Sequence, residues 1–418
     1  MAITSLTFVP AVRQRAKAVT LDYELFETAI ALFEAGKTAE SIQAVFTHLL
    51  PNQTLPNLAT TAFSFAQGSS RVKVSIVDEH ISIVVPLVTL PSGGNGLAAL
   101  RYLLTKLSSS GQLHQPRLHG DDVYLEFHDR VSRMHPAKLI EVLRRIPIEA
   151  DNNDDWLIGQ FAALPLEREP IPDITDEEFA RAAAIWRNHW NDIEELVKES
   201  QRKRSTFFLN ELTAYSFYRM RYALPLNGFL HAKLAEYART FNDSDEDAIK
   251  RENTLHKCIK EMKAVSDAEL RRDLGHPSYA ISPHGDGTPV VLASYFGPGT
   301  YADSIEQYRK TGKSLEAAMA LISTFTFLLG RYAWPDAIEV DLQRALADAS
   351  GKTWREVATL LTDHGKSLIE KYVDDDNEHE ALDTDEVEIV DPAKAQVVFD
   401  DGSDAKDQAS DDDREEAN

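Results

Sequence analysis

The chain has 418 residues and a formal net charge of −23, with 43% hydrophobic and 27% charged residues. These proportions are typical of a globular protein, and the length is sufficient for two or three domains. Residues 374–418 carry a net charge of −16, which leaves −7 for residues 1–373. This acidic balance argues against a nucleic-acid partner, because attraction to phosphates supplies much of that affinity.

Signals for targeting and covalent cross-linking are few. No window reaches the roughly 18 uninterrupted apolar residues of a membrane-spanning helix, and the N-terminal stretch lacks the pattern of a secretory signal. Cys258 is the single cysteine, so we expect neither a disulfide nor a cysteine metal cluster. A cytoplasmic protein without a membrane span is therefore expected.

The first predicted elements form a helical hairpin at residues 21–50, where apolar residues recur at helical spacing and Gly36 separates the two halves. Phe63 and Phe65 then indicate a strand. In the stretch RVKVSIVDEHISIVVPLVTLP, residues 71–91, apolar residues alternate along two runs joined by Asp78-Glu79-His80. Alternation with a short polar turn predicts an antiparallel hairpin.

A leucine-rich helix, two more strands and a long helix follow the hairpin. The helix GLAALRYLLTKLS follows the break PSGGNG, and its predicted inner side holds Leu97, Leu100, Leu103, Leu104 and Leu107. The strands are QLHQPRLH and DDVYLEFH, and Pro136 begins the long helix. Strands and helices segregate in the chain, which predicts an α+β domain on an antiparallel sheet over residues 1–163.

Three prolines in residues 164–179 predict a linker at 164–174. Residues 175–373 contain about seven helical segments and no convincing strand, so we predict an all-helical domain. The run LEAAMALISTFTFLLGRYAW is apolar on nearly all sides and is expected to be its central buried helix. Residues 374–418 are acidic and poor in large apolar groups, and this composition predicts a disordered tail.

The order of elements in the first domain resembles the type III secretion chaperone-like fold, including its YbjN-like relatives. The resemblance covers about residues 20–162 and is carried by RVKVSIVDEHISIVVPLVTLP, GLAALRYLLTKLS, DDVYLEFHDRV and HPAKLIEVLRRIPIEADNNDDWLIGQF. It implies a protein-binding module that dimerises and holds an unfolded segment of a client, and it brings no catalytic residues. No family is recognised for residues 175–373.

The outward residues of the first hairpin are the candidate partner-binding surface. A sheet with one face on its own helices leaves the other face or an edge for a partner chain. The candidate residues on that face are Arg71, Lys73, Ser75, Ser82 and Val84. An ordinary solvated face is the competing interpretation.

The stretch most suggestive of chemistry is residues 273–300, interpreted as a long non-helical insert between helices. Loops of this length in compact domains are often functional. Its candidate metal ligands are Asp273, His276, His284 and Asp286, which offer the nitrogen and oxygen donors that divalent metals accept. The spacing of the histidines matches no metal motif, so a structured loop or interaction surface is the preferred interpretation.

The sequence thus predicts a non-enzymatic adaptor or chaperone-like protein that holds a partner protein through its sheet face or edge. No cofactor is expected, and a homodimer is one assembly to test. Two alternatives remain open. One is a metal-dependent enzyme that uses residues 273–300, and the other is a structural component of a larger bacterial assembly.

Overall fold

The computed structural model describes residues 3–14, 23–50, 62–107, 113–203, 206–242 and 247–373. These residues form two compact units. The α+β unit contains residues 23–169, and the helical unit contains residues 3–14 and 170–373. The predicted fold class, a mixed α+β region with an antiparallel sheet followed by many helices, is confirmed. The predicted acidic tail at 374–418 lies outside the described residues.

The α+β unit begins with a helical hairpin and continues with a sheet and two further helices. Its elements are α1 (Tyr23–Glu34), α2 (Thr38–Leu49), β1 (Ala62–Gln67), β2 (Ser70–Val77), β3 (His80–Thr89), α3 (Gly94–Leu107), β4 (Gln115–His119), β5 (Asp122–Arg130), α4 (Pro136–Phe161) and β6 (Leu164–Pro165). The strand order is β1-β2-β3-β5-β4, and β6 pairs with the end of β3.

The hairpin of β2 and β3 has the predicted antiparallel register, with Ile76 opposite Ile81. The alternation buries one set of side chains against the helices: Val72, Val74, Ile76, Ile81, Ile83 and Val85. Its two-residue turn, Asp78-Glu79, has positive φ angles of 48° and 62°. Such angles at both positions suit the right-handed twist of a hairpin but are unfavourable for residues with a side chain.

Helix α4 covers the inner face of the sheet and contacts β1, β2, β3 and β5. Polar side chains of α4 are buried at this contact. Glu149 pairs with His114, which directly precedes β4, and both side chains are almost completely buried. Asp151 accepts hydrogen bonds from the backbone N–H and the hydroxyl of Ser69, at 2.6 Å and 2.9 Å. These contacts fix the β1–β2 turn and the start of β4 to one helix.

The helical unit consists of ten described helices and a two-residue parallel strand pair. Its helices are α5 (Asp176–Lys203), α6 (Thr206–Ala223), α7 (Gly228–Asn242), α8 (Ala248–Ala264), α9 (Asp267–Arg272), α10 (Pro289–Phe296), α11 (Tyr301–Lys310), α12 (Ser314–Arg331), α13 (Asp336–Ala349) and α14 (Trp354–Tyr372). Its strands are β7 (Gly285–Asp286) and β8 (Tyr332–Ala333). No described helix of the chain is long and apolar enough to cross a membrane.

Helix α12 is the centre of this unit, as its apolar sequence predicted. All residues from Leu315 to Gly330 except Glu316 are buried, and the helix contacts α6, α11, α13 and α14. The predicted seam of α5 is buried as well, with the rings of Trp186 and Trp190 packed edge to face at 5.6 Å between centroids.

The described N-terminal segment, residues 3–14, packs in the helical unit, whereas the sequence-based boundary assigned it to the α+β domain. Its backbone is held at several points: Val12 N–H donates to the carbonyl of Ala223, and the carbonyl of Leu6 accepts from Gly351 N–H, both at 2.8 Å. The side chains of Leu6 and Val12 are buried. A boundary drawn in chain order therefore misses a unit assembled from two separated segments.

Residues 273–300 are not a non-helical insert, because they contain α10. Thr288 accepts a hydrogen bond from Val291 N–H through its side chain and so caps this helix, and Pro289 occupies its first turn. Both are standard helix-start signals. The predicted linker at 164–174 includes β6, and the chain passes from one unit to the other at residues 169–170.

Candidate functional site

The outer face of the sheet brings together the five predicted partner-binding residues. Residues of β2 and β3 lie opposite one another there, with Lys73 beside Val84 and Ser75 beside Ser82. Arg71 lies two residues before Lys73 on the same face of β2. All five residues therefore lie on the outer face, as the alternating pattern of the sequence predicted.

The two basic residues of this face are paired within the unit. Residues 164–169, which we call the strap, continue from β6 past the start of β2. Glu169 N–H donates to the carbonyl of Ser69 at 2.8 Å. Arg71 bonds to Glu169 at 2.5 Å and Lys73 to Glu167 at 2.6 Å. A partner approaching this face would therefore meet charges that the strap already balances.

A second ionic group lies on the same face, where β3 adjoins β5. Glu126 lies opposite Val84 and contacts the ring nitrogens of His119, at 2.8 Å, and His128, at 3.0 Å. Burial alone would raise the pKa of Glu126, but the hydrogen bonds from the two histidines outweigh it and lower the pKa. The outer face is thus largely polar and internally paired.

The apolar surface of the unit lies instead at the β4 edge. Strand β4 pairs with β5 on one side and has no strand partner on the other among the described residues. Helix α3 contacts β4, and along its solvent side run Leu97, Arg101 and Leu104, at i, i+4 and i+7. The exposed fractions are 53% for Leu97, 56% for Leu104 and 50% for Leu118 of β4. We call α3 and β4 together the leucine edge.

The prediction that Leu97 and Leu104 face inwards is wrong. The buried side of α3 is formed by Gly96, Ala99 and Leu103, while the hydroxyl of Tyr102 donates to the Asn153 side chain at 3.1 Å. A helix with leucines on more than one side gives no sequence signal for which side a neighbour covers. The excess of leucine in α3 was nevertheless visible as a departure from a single apolar stripe.

The four candidate metal ligands do not form a metal-binding set. No group of three or more His, Cys, Asp or Glu side chains suited to a metal occurs among the described residues. Asp273 is buried and accepts a hydrogen bond from Leu230 N–H, at 2.8 Å, in the first turn of α7. It therefore caps a helix whose free N–H groups favour a carboxylate.

The other three candidates have separate structural positions. His276 contacts Glu178 at 3.2 Å, and Glu178 also bonds to Thr175 in the capping arrangement that begins α5. Asp286 belongs to β7, opposite Ala333 of β8. His284 directly precedes β7, and its ring hydrogen-bonds to the backbone of Gly330.

Sequence reasoning also missed a group of basic residues around His284. It contains Arg13, Arg221 and Arg331, which are far apart in the chain and meet only in the folded helical unit. No spacing rule connects residues this distant, so the sequence carried no signal for their proximity.

No known protein-family model and no curated protein sequence matches this chain.

Proposed function

We propose that this chain is a cytoplasmic, non-enzymatic adaptor that holds an extended segment of a partner protein along the leucine edge. The observation that carries the proposal is the exposure of Leu97, Leu104 and Leu118 beside the edge of β4 that has no strand partner among the described residues. Exposed leucines on a helix next to a free strand edge suit β-augmentation, in which main-chain bonds give affinity and side-chain contacts give specificity.

The charge of the leucine edge favours an acidic and apolar partner segment. Helix α3 and strand β4 contain Arg101, Lys106 and Arg117 but no Asp or Glu, although the chain as a whole is acidic; His119 of β4 already contacts Glu126. A partner strand with alternating apolar and acidic residues would contact the leucines on one side and the basic residues on the other. Complementary charge mainly improves specificity and the association rate.

The outer face of the sheet is the weaker candidate surface, because the strap and Glu126 already balance its charges. Displacing such exposed ion pairs costs little, but it also gains little apolar contact. The leucine edge, in contrast, offers apolar surface that a partner can remove from water, at roughly 25 cal/mol per Å². The resemblance to secretion chaperones supports the same holding role.

The test is selection of extended peptides from a displayed random library on the full chain, followed by affinity measurement of the selected peptides. We expect acidic, apolar peptides to be enriched. Leu104→Glu should weaken their binding at least tenfold, because it places a buried charge in the contact and repels an acidic peptide. Ile249→Glu, at another exposed apolar position, in the helical unit, is the matched control and should leave affinity unchanged.

The mode of binding is tested by hydrogen exchange with a selected peptide. Pairing with the free edge should slow exchange of β4 amides while leaving the β1 edge unchanged. Enriched peptides that are basic, or that bind Leu104→Glu as tightly as the unaltered chain, would contradict the proposal. A micromolar dimer that Leu104→Glu converts to a monomer would show instead that a second copy of this chain occupies the leucine edge.

A further inference from the structure

The outer edge of β4 presents main-chain groups whose positions follow from a proline. Pro116 lies opposite Leu125 of β5. Because proline has no N–H, this pair cannot exchange two hydrogen bonds, and the two kinds of pair alternate along an antiparallel ladder. Leu118, two residues further on and opposite Val123, therefore directs its N–H and its C=O away from β5. Both groups face the edge that has no strand partner among the described residues.

The two faces of β4 differ chemically at this edge. Leu118 lies opposite the buried Val123 and so on the inner face, and helix α3, which contacts β4, adds its exposed leucines. Arg117 is exposed on the opposite face, because successive residues of a strand alternate. Neither Arg117 nor Arg101 of α3 forms an ion pair within the part of the chain that the structure describes. A strand added here fits best when it is apolar on one side and acidic on the other.

One segment of this chain has that alternation. Residues 386–391 read EVEIVD, and a proline follows them. In an extended chain Val387 and Ile389 lie on one side, and Glu386 and Glu388 lie on the other. We call residues 386–391 the tail segment. It carries the apolar and acidic groups in the order that the edge of β4 would accept.

The other apolar run of residues 374–418 lacks this pattern. Val397, Val398 and Phe399 follow one another with no acidic residue between them. The run therefore places large apolar groups on both sides of an extended chain and offers no carboxylate to the arginines. It provides an internal comparison for the tail segment.

The tail segment is tethered close enough in sequence for weak binding to matter. Residues 374–385 separate it from Val373, the last residue that the structure describes, and twelve residues span at most about 40 Å. A tether of this length gives an effective concentration of about 1 mM, so a contact with a Kd of about 0.1 mM would be formed in roughly 90% of the molecules.

We propose that the tail segment occupies the leucine edge of its own chain as a strand added to β4, with Val387 and Ile389 towards the leucines and Glu386 and Glu388 towards Arg117. The inference rests on the proposed function, because it assigns an occupant to the same edge. A partner segment has to displace the tail segment, which therefore sets the affinity that a partner needs. Main-chain bonds to Leu118 and the alternate side chains together define the contact.

The test is titration of a synthetic peptide of residues 384–392 into the full chain and into a full-chain variant with Val387→Ser and Ile389→Ser. We expect the variant to bind the peptide about tenfold more tightly than the unaltered chain, because a tethered competitor that is roughly 90% bound weakens apparent affinity by that factor. Val397→Ser with Val398→Ser removes two apolar groups from the same tail. This matched control should bind the peptide as weakly as the unaltered chain does.

Hydrogen exchange provides a second measurement without added peptide. Amides of β4 should exchange up to about tenfold faster in the Val387→Ser, Ile389→Ser variant than in the unaltered chain, because the edge is then open in all molecules. Exchange of β1, at the other edge of the sheet, should not change. The difference should be independent of protein concentration, as expected for a contact within one chain.

Equal affinity of the peptide for the unaltered chain and for the Val387→Ser, Ile389→Ser variant would overturn the inference. An equal gain in the Val397→Ser, Val398→Ser control would overturn it too, since the effect would then belong to the tail as a whole. An exchange difference that vanishes on dilution would mean that the tail segment of a second copy occupies the edge. If the peptide binds none of these chains while library-selected peptides bind the leucine edge, this inference fails and the proposed function stands. If neither kind of peptide binds there, both fail.

Discussion

Helix α4 of the α+β unit and the bundle of the helical unit both bury titratable groups, but the pKa shifts of these groups have opposite directions. The α+β unit encloses carboxylates on α4, and desolvation raises the pKa of Asp151 to about 6 and that of Asp154 well above its ordinary value. The helical unit encloses basic side chains, and desolvation lowers the pKa of His189 to about 3 and that of His231 to about 4. Burial favours the neutral form in both cases, and it therefore raises the pKa of these acids and lowers the pKa of these bases.

The α4 carboxyls and the two histidines should therefore make stability depend on pH in opposite directions. A carboxyl whose pKa is raised in the fold contributes stability fully below its unfolded pKa, near 3.8, and loses it as pH rises through about 6. A histidine whose pKa is lowered contributes stability above its unfolded pKa, near 6.5, and loses it as pH falls towards 3. Asp192, whose pKa burial raises to about 6, opposes the two histidines within the helical unit.

The largest predicted effect tests whether the α+β unit depends on its buried acids. Glu149→Ala removes one partner of the buried pair with His114. It should lower the free energy of unfolding by about 3–5 kcal/mol, because the remaining polar ring is left buried and unpaired. Urea denaturation followed by hydrogen exchange in α4 peptides measures the change.

Glu141→Ala on the same helix is the matched control. Glu141 forms an exposed i,i+4 pair with Arg145, and such pairs contribute less than about 1 kcal/mol. Similar losses in the two variants would show that burial of the acid is not what matters, and the contrast between the units would fail.

The next effect concerns the helical unit. His189 packs against the rings of Trp190 and Tyr215, at 5.0 Å and 5.4 Å between centroids. When pH falls from 7.5 to 5, the free energy of unfolding of the unaltered unit should decrease by about 2 kcal/mol because of this ring. The histidine takes up a proton in the unfolded chain but stays neutral in the fold. His189→Phe keeps an aromatic ring and should remove this loss.

Hydrogen exchange of α5 and α6 peptides at the two pH values reports the difference. His364→Phe, which alters a histidine paired with Asp348 near the surface, should leave the pH dependence unchanged. An equally steep loss of stability in His189→Phe would assign the acid sensitivity to other groups.

Asp151 should change the stability with pH in the opposite direction, and by a smaller amount. Asp151→Asn retains an oxygen that accepts from Ser69 but removes the titration. Relative to this variant, the unaltered α+β unit should gain about 1 kcal/mol of stability when pH falls from 7.5 to 5. Asp121→Asn in the exposed β4–β5 turn provides the comparison. Relative to Asp121→Asn, the unaltered unit should show no such gain. If it gained as much as it does relative to Asp151→Asn, the titration of Asp151 would not explain the effect.

Patterns within single elements predicted the fold well. Alternation identified the buried faces of β2 and β3, and the apolar run of α12 identified the central helix. Both predictions depend on local patterns of apolar residues, which a short stretch of sequence is enough to show. The helix α10 was missed although Thr288 and Pro289 signal its start, because the glycines around it suggested a loop.

Contacts between distant segments were not predictable in the same way. The pairing of Lys73 with Glu167 depends on how the strap passes β2, and no local pattern encodes that path. The group of basic residues around His284 brings Arg13 near Arg331, more than three hundred residues away in the chain. Of the proposed binding surface, the sequence indicated a sheet edge, but not that Leu97 and Leu104 would lie on the solvent side.

The smallest predicted effect provides a reference that does not depend on charge. The turn of the β2–β3 hairpin places Asp78 and Glu79 at positive φ, where Asn-Gly is the preferred pair because glycine has no Cβ to strain. The double substitution Asp78→Asn and Glu79→Gly should therefore raise the free energy of unfolding by about 0.5–1 kcal/mol. Because the gain arises in the backbone, it should be the same at pH 5 and pH 7.5. Thermal unfolding at the two pH values measures it. A gain present only at pH 7.5 would mean that the charges of the two carboxylates, rather than the backbone angles, destabilise this turn.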